Sequence, residues 1–176
     1  MGGILAMAIA FCKRIWSILD VVPYRPFEGQ NCSVAAALAV VGERWTLLIV
    51  REVLGGHRRF EDIRRRTGVA PNILSDRLAT LVEHGLLRRE AVEGETDVFE
   101  YRPTRKGVDL NPVLLTLMAW GDRYAAPDGP PRVPVHTSCG HDAQPRLHCA
   151  HCGDPLEASE VALRVGPGGI APELEL

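Results

Sequence analysis

Two short stretches in the C-terminal part of the chain carry side chains suited to gripping a metal. His136-Thr-Ser-Cys139-Gly140 and Cys149-Ala-His-Cys152-Gly153 each present two donors separated by two residues, with glycine next. That spacing lets one tight turn offer both side chains to a single cation, and the glycine lets the backbone curl toward it. Together the turns supply His136, Cys139, Cys149 and Cys152, a complement for a closed tetrahedral Zn2+ site of Cys3His type. His141 is an alternative fourth ligand, and His148 and His151 stand close by. The rest of the segment has too few apolar residues to fold unaided, so the expected zinc is structural. The competing reading is of unrelated reduced thiols on a loose tail. Cys149 and Cys152 also have the spacing of a thiol-disulfide oxidoreductase, but the strand-helix context of such sites is missing around them. No general base accompanies an open metal position, and an enzyme is not expected.

A second constellation is electrostatic. Between His57 and Arg89 lie Arg58, Arg59, Arg64, Arg65, Arg66, Arg77, Arg88 and Arg89, against only Glu61, Asp62, Asp76 and Glu83, a local excess of four positive charges. The whole 176-residue chain has a formal net charge of -2, so any positive field is confined to this segment. Such a field steers and holds a polyanion, although the same arginines also suit a solvated face. With 46% hydrophobic and 24% charged residues, a packed core is expected and wholesale disorder is excluded. The five cysteines are odd in number and three crowd one end, which suits reduced thiols in the cytoplasm better than a secreted disulfide framework.

The elements that must carry these residues follow from periodicity and punctuation. Residues 1–30 read as an apolar amphipathic helix followed by a linker over 23–30, and no membrane span is expected because Lys13 and Arg14 interrupt the run. Val34, Leu38 and Val41 recur at helical spacing before Gly42, and Trp45 to Val53 outlines a second helix closed by Gly55-Gly56. Phe60 and Ile63 begin a short third helix that stops at Thr67-Gly68. Pro71 suits the first position of a fourth, whose stripe is Leu74, Leu78, Leu81 and Val82. Two short helices joined by a Gly-bearing turn are the elements of a helix-turn-helix. Leu86–Val92 and Val98–Arg102 then read as strands around Glu93-Gly94-Glu95, a hairpin placed where a winged helix has its wing. Thr104 is positioned to cap a long helix. Its Leu110, Val113, Leu114, Leu117, Met118 and Trp120 exceed what one domain face needs, and a partner subunit is the simplest second cover. Trp45, Phe60 and Tyr101 read as core aromatics.

The expected fold class is therefore mainly α with a small β-hairpin wing, a winged helix-turn-helix, plus a zinc-ribbon-like appendage. The domain occupies 31–125, a Pro-rich linker 126–135, the Cys/His segment 136–165 and a flexible tail 166–176.

Several spaced motifs carry a family resemblance. Cys32-Ser-Val, Val41-Gly-Glu-Arg-Trp45-Thr-Leu-Leu-Ile-Val-Arg-Glu, Arg59-Phe60-Glu-Asp-Ile63, Leu74-Ser75-Asp-Arg77-Leu78, His84-Gly85-Leu86 and Tyr101-Arg-Pro-Thr104-Arg-Lys-Gly107 together resemble the HxlR-type branch of the MarR-related repressors. The resemblance implies a homodimer whose first and last domain helices form the seam, with the helix at 70–84 entering the major groove of double-stranded DNA. Asn72 and Ser75, on the early polar turns, are expected to meet bases or phosphates, and Arg77 either meets a phosphate or braces the helix. Arg58, Arg59, Arg88 and Arg89 are expected at the DNA backbone.

Two departures from the family stand out. Ala70 replaces the usual capping Ser or Asn, and the wing reads Glu95-Thr-Asp97 where an arginine is common, so phosphates should repel its tip. The resemblance also implies that Cys32, just before the first domain helix, is a candidate sensor of oxidants or electrophiles; a helix N-terminus stabilises a thiolate. The alternative is a small apolar residue at the dimer seam. A sequence-specific regulator, a repressor by the family's habit, is the expected function. A winged helix serving as a protein-interaction module is a further alternative.

Overall fold

A computed structural model describes residues 31–169. The expected helix and linker over 1–30, and the tail beyond 169, lie outside the described residues. Helices α1 (Ser33–Val41), α2 (Thr46–Leu54), α3 (Phe60–Thr67) and α4 (Pro71–Glu83) come first, followed by strands β1 (Leu87–Ala91) and β2 (Phe99–Pro103). Helices α5 (Arg105–Val108) and α6 (Asn111–Tyr124) complete the domain, and two short strands, β3 (Val135–His136) and β4 (His141–Asp142), pair beyond it.

The core is built on α2 and α4. Ile49, Val50 and Val53 on α2 meet Leu74, Leu78 and Leu81 on α4, with Ile63 of α3 and Leu86–Leu87 closing the sides. The spacing of four and then three residues puts the α4 leucines on one face of the helix, each fully buried. Pro71 opens α4 and tolerates the position because no intrahelical partner awaits its missing N–H. Ala70 precedes it with no side-chain cap. The α3–α4 turn depends on Gly68 at φ 71°, a left-handed conformation that glycine takes without strain. Helix α3 carries Glu61 and Asp62 in its first turn and Arg64 to Arg66 in its last, the order its dipole favours.

Strands β1 and β2 pair antiparallel, Leu87 opposite Pro103 and Ala91 opposite Phe99. The chain just before α3 adds itself to this hairpin: Arg59 bridges Glu100, and the Tyr101 N–H donates to the Arg58 carbonyl at 2.9 Å.

Thr104 caps a helix as its sequence position suggests, accepting from the Gly107 N–H at 3.2 Å. The helix it caps is not the long one. α5 is a single turn, and the chain restarts at Asn111 with Pro112 in the first turn of α6, because proline suits a helix start and disrupts an interior. The Thr104 hydroxyl also donates to the Gly85 carbonyl at 2.7 Å, tying the α5 start to the end of α4. Gly107 lies so close beneath that an added Cβ would fall 2.2 Å from the Leu86 carbonyl oxygen.

Trp45, Phe60 and Tyr101 are half-buried against the core. On α6, Leu110 precedes the helix and Leu114 faces inward, while Val113, Leu117, Trp120 and Tyr124 face out. Leu117 is 51% exposed and Trp120 60% exposed. Val34 and Leu38 form a similar outward pair on α1. Among the described residues, no single helix is long and apolar enough to cross a membrane.

Candidate nucleic-acid interface

Helix α4 shows two faces. Its leucines lock into the core, while Asn72, Ile73, Ser75 and Asp76 stand exposed on the opposite side near the N-terminus. A helix held this way is stiff on one side and presents its early polar turns to whatever lies outside.

The arginines are less free than the sequence suggests. The local excess of four positive charges is partly offset on folding, because carboxylates from outside the segment come to meet it. Glu43 lies 3.8 Å from Arg77, Glu52 2.5 Å from Arg66, Glu95 2.5 Å from Arg59, and Glu90 pairs with Arg88. Within the segment, Arg64 pairs with Glu61 at 2.9 Å and Arg65 with Asp62 at 2.5 Å, both one helical turn apart. A count confined to residues 57–89 misses these partners: folding brings in Glu43, Glu52 and Glu95, while Glu90 lies just past the segment, two residues from Arg88.

Each expected contact residue now has a place. Asn72 and Ser75 are exposed on α4. Arg77 is 22% exposed and lies 3.0 Å from Asp76 on its own helix and 3.8 Å from Glu43 in the turn before α2. Arg59 donates to Glu95 of the wing, which pushes the guanidinium pKa up, with Glu100 and Asp62 adding smaller contributions. The acidic wing tip thus has a local partner, a contact with no signal in the linear sequence. Arg58 is half-buried, and its Nε is the one buried side-chain nitrogen or oxygen without a hydrogen-bond partner among the described residues. Arg88 is exposed on β1, and the Arg89 guanidinium lies 3.6 Å from the centre of the Phe99 ring, a cation–π arrangement.

Behind this surface lies a charged cluster that the sequence pattern does not announce. Glu52 is buried on α2, its side chain 7% exposed, and receives Arg51 at 2.6 Å and Arg66 at 2.5 Å, with His57 at 3.9 Å. Burial pushes its carboxyl pKa up, but hydrogen bonds from Arg66 and then Arg51 outweigh that and leave it below the ordinary value. A glutamate on the inward face of an apolar helix stripe is the one signal that could have found it.

Cys32 is exposed at the N-cap of α1, and its carbonyl accepts from the Ala36 N–H at 3.0 Å. In the appendage, His136 Nδ1 and Cys139 Sγ are 3.2 Å apart. The backbone N–H groups of Cys152 and His151, with the Cys152 thiol, face the Cys149 sulfur and hold its pKa below the usual thiol value. Nδ1 of His141 lies 2.9 Å from the Cys139 carbonyl, turned to the backbone beside the His136 pair. Among the described residues, no three His, Cys, Asp or Glu side chains converge on one point closely enough to hold an ion. Cys149 and Cys152 sit in a hairpin turn rather than at the start of a helix following a strand.

Comparison with known proteins agrees with the reading-head geometry. Residues 40–129 match the HxlR-like helix-turn-helix family. An uncharacterised HTH-type transcriptional regulator of Mycobacterium tuberculosis is 47% identical over 143 residues, covering 81% of this chain and 89% of the relative. The crystal structure of PA1607, described as a candidate transcription factor, superposes with a TM-score of 0.70 at 35% identity, over 76% of this chain and 94% of that one. The redox regulator HypR in its reduced form matches with a TM-score of 0.50 at 25% identity, over 54% of this chain and 95% of its own. A recognition helix locked at its back, a hairpin following it and this match leave one assignment: the chain belongs to the HxlR-like family of winged helix-turn-helix, DNA-binding transcriptional regulators.

Proposed function

We propose that the chain acts in the cytoplasm as a homodimeric repressor that reads a pseudo-palindromic operator, placing one α4 from each subunit in successive major grooves. The observation that carries this reading is the division of α4 between a buried leucine stripe and an exposed start bearing Asn72 and Ser75. Neither side chain has an ion partner to displace, and both sit where a helix in the major groove meets base edges. Arg58, Arg59, Arg88 and Arg89 flank the helix and take phosphates, Arg59 and Arg88 by exchanging a carboxylate for one. Arg77 positions α4 through Asp76 and Glu43. The outward stripe of Val113, Leu117, Trp120 and Tyr124 on α6, with Val34 and Leu38 on α1, supports a self-complementary apolar seam.

A redox response has separate support: HypR is a redox regulator, and Cys32 is exposed at the start of α1, beside the proposed seam. Oxidation there would alter the seam and so the spacing of the two α4 helices.

The test is fluorescence anisotropy on the intergenic DNA upstream of the gene, with random DNA as competitor. Wild type is expected to protect two half-sites about one helical turn apart. Asn72→Ala with Ser75→Ala should weaken specific binding by about 1–3 kcal/mol for each base edge no longer read, leaving non-specific binding unchanged. Equal affinity of wild type for both DNAs at physiological salt would refute the reading. For the redox part, mild oxidation should alter operator binding in wild type and not in Cys32→Ser.

A further inference from the structure

The appendage beyond α6 repeats one small device twice. In the first copy, the Gly140 N–H donates to the His136 carbonyl at 2.8 Å, and Gly140 sits at φ 72°. In the second, the Gly153 N–H donates to the Cys149 carbonyl at 2.8 Å, and Gly153 sits at φ 80°. Flanking pairs close both turns into hairpins: Val135 with Asp142 and His136 with His141 in one, His148 with Pro155 in the other. His136 therefore occupies the place of Cys149, and Cys139 the place of Cys152. Sequence spacing alone could not show that the two turns share a hydrogen bond and a backbone bend.

The donors already point together within each turn. His136 Nδ1 and Cys139 Sγ are 3.2 Å apart. A tetrahedral ion with bonds of about 2.1 Å to nitrogen and about 2.3 Å to sulfur would set them about 3.6 Å apart. In the other turn, the amides of His151 and Cys152 and the Cys152 thiol lie against the Cys149 sulfur. Nothing else in the appendage explains its shape. No described residue from 126 to 169 is buried, and Val135, Leu147, Leu156 and Val161 all stand exposed. An open groove of about 550 Å3, lined by Met118 and Ala119 of α6 and by Val133, Pro134 and Pro145, lies where a packed seam would otherwise hold the segment. Two well-formed hairpins with no core between them need a different staple.

We propose that the two turns close on one structural Zn2+, bound by His136, Cys139, Cys149 and Cys152. Each turn is a bidentate half-site; the two halves do not converge among the described residues, and the ion would draw them together. Binding releases the three thiol protons to solvent, with no change of oxidation state. The four protein ligands fill the coordination sphere, so the ion holds structure and activates no water. His136 serves rather than His141, because it lies beside the Cys139 sulfur in the position matching Cys149. The proposal is independent of the DNA reading.

The test uses the full chain, purified without a histidine tag or chelator and analysed for metal after gel filtration. About one zinc per chain is expected, retained in Cys32→Ser and His141→Ala and lost in Cys149→Ser with Cys152→Ser. Should the double variant fail to fold, the wild-type protein decides: loading with Co2+ should give the intense visible bands of a tetrahedral thiolate site, and a mercurial reagent should release one zinc as the three ligand thiols react, in addition to Cys12 and Cys32. Zinc well below roughly a tenth of an equivalent even after incubation with Zn2+, or an octahedral cobalt spectrum, would overturn the proposal. Full zinc retention in a folded double variant would do the same.

Discussion

Arg59 and Glu95 meet across the root and tip of the wing, the guanidinium donating to both carboxylate oxygens at 2.5 and 3.3 Å although 36 positions separate them. The pair is exposed, so its worth to folding is small. Its position matters more, because it occupies a cation that would otherwise face phosphate.

Removing the carboxylate should therefore help DNA rather than harm the fold. Glu95→Gln is expected to tighten operator binding and to steepen its salt dependence by about 0.9 in log–log slope for each phosphate newly neutralised. Anisotropy titrations across a salt series read both quantities. An unchanged slope would place Arg59 away from the duplex.

The α6 stripe yields a mass measurement. Leu117→Glu with Trp120→Glu places two carboxylates on the proposed seam, where each would be buried without a partner. Light scattering should then give the single-chain mass of 19.3 kDa, against twice that for wild type, with helical content largely kept. A double variant that remains a dimer would move the seam elsewhere.

Gly107 tests the junction between β2 and α6. In Gly107→Ala the methyl would fall 2.2 Å from the Leu86 carbonyl, a backbone atom that cannot step aside alone. A loss of about 1–3 kcal/mol is expected from this overpacking. Thermal unfolding should show a melting temperature lower by about 4–8 °C per kcal/mol for a domain of this size. An unaltered melt would mean that the α5 turn shifts freely.

Glu52 gives the fold a pH dependence. Its carboxyl pKa is lower folded than unfolded, so its stabilisation is complete above the unfolded value of about 4.3 and is lost as pH falls through the folded one. Glu52→Gln should cost about 1–2 kcal/mol at neutral pH, where it leaves Arg66 and Arg51 without their carboxylate. The urea midpoints of variant and wild type should converge as the solution is acidified below about pH 4. A gap of constant size would show that the loss comes from packing rather than charge.

How much of this is legible in the sequence differs by residue. The α4 stripe and the Thr104 cap are readable because each is a local pattern set by one helical period or one hydrogen bond three residues away. The break at residues 109–110 escapes a sequence reading because Leu110 and Leu114 continue an apolar rhythm across it, and Pro112 suits a helix start as well as a bend. Glu43 and Glu95 escape it for another reason. Their meaning is spatial: each is unremarkable in its own stretch and acquires a partner only when the hairpin folds back or α4 settles against the turn before α2. Asn72 and Ser75 are legible as exposed polar residues, whereas the approach of Arg77 to Glu43 shows only once the turn before α2 is in place.

The main-chain link from Tyr101 to Arg58 changes what kind of object the wing is. A lone two-stranded ribbon flickers in water, but here a third stretch of backbone, the one that feeds α3, is stitched along its edge. That link ties the base of the ribbon to the chain that feeds α3, so the two do not move independently there. A ribbon base fixed in this way has less freedom to surrender on docking than an unattached one.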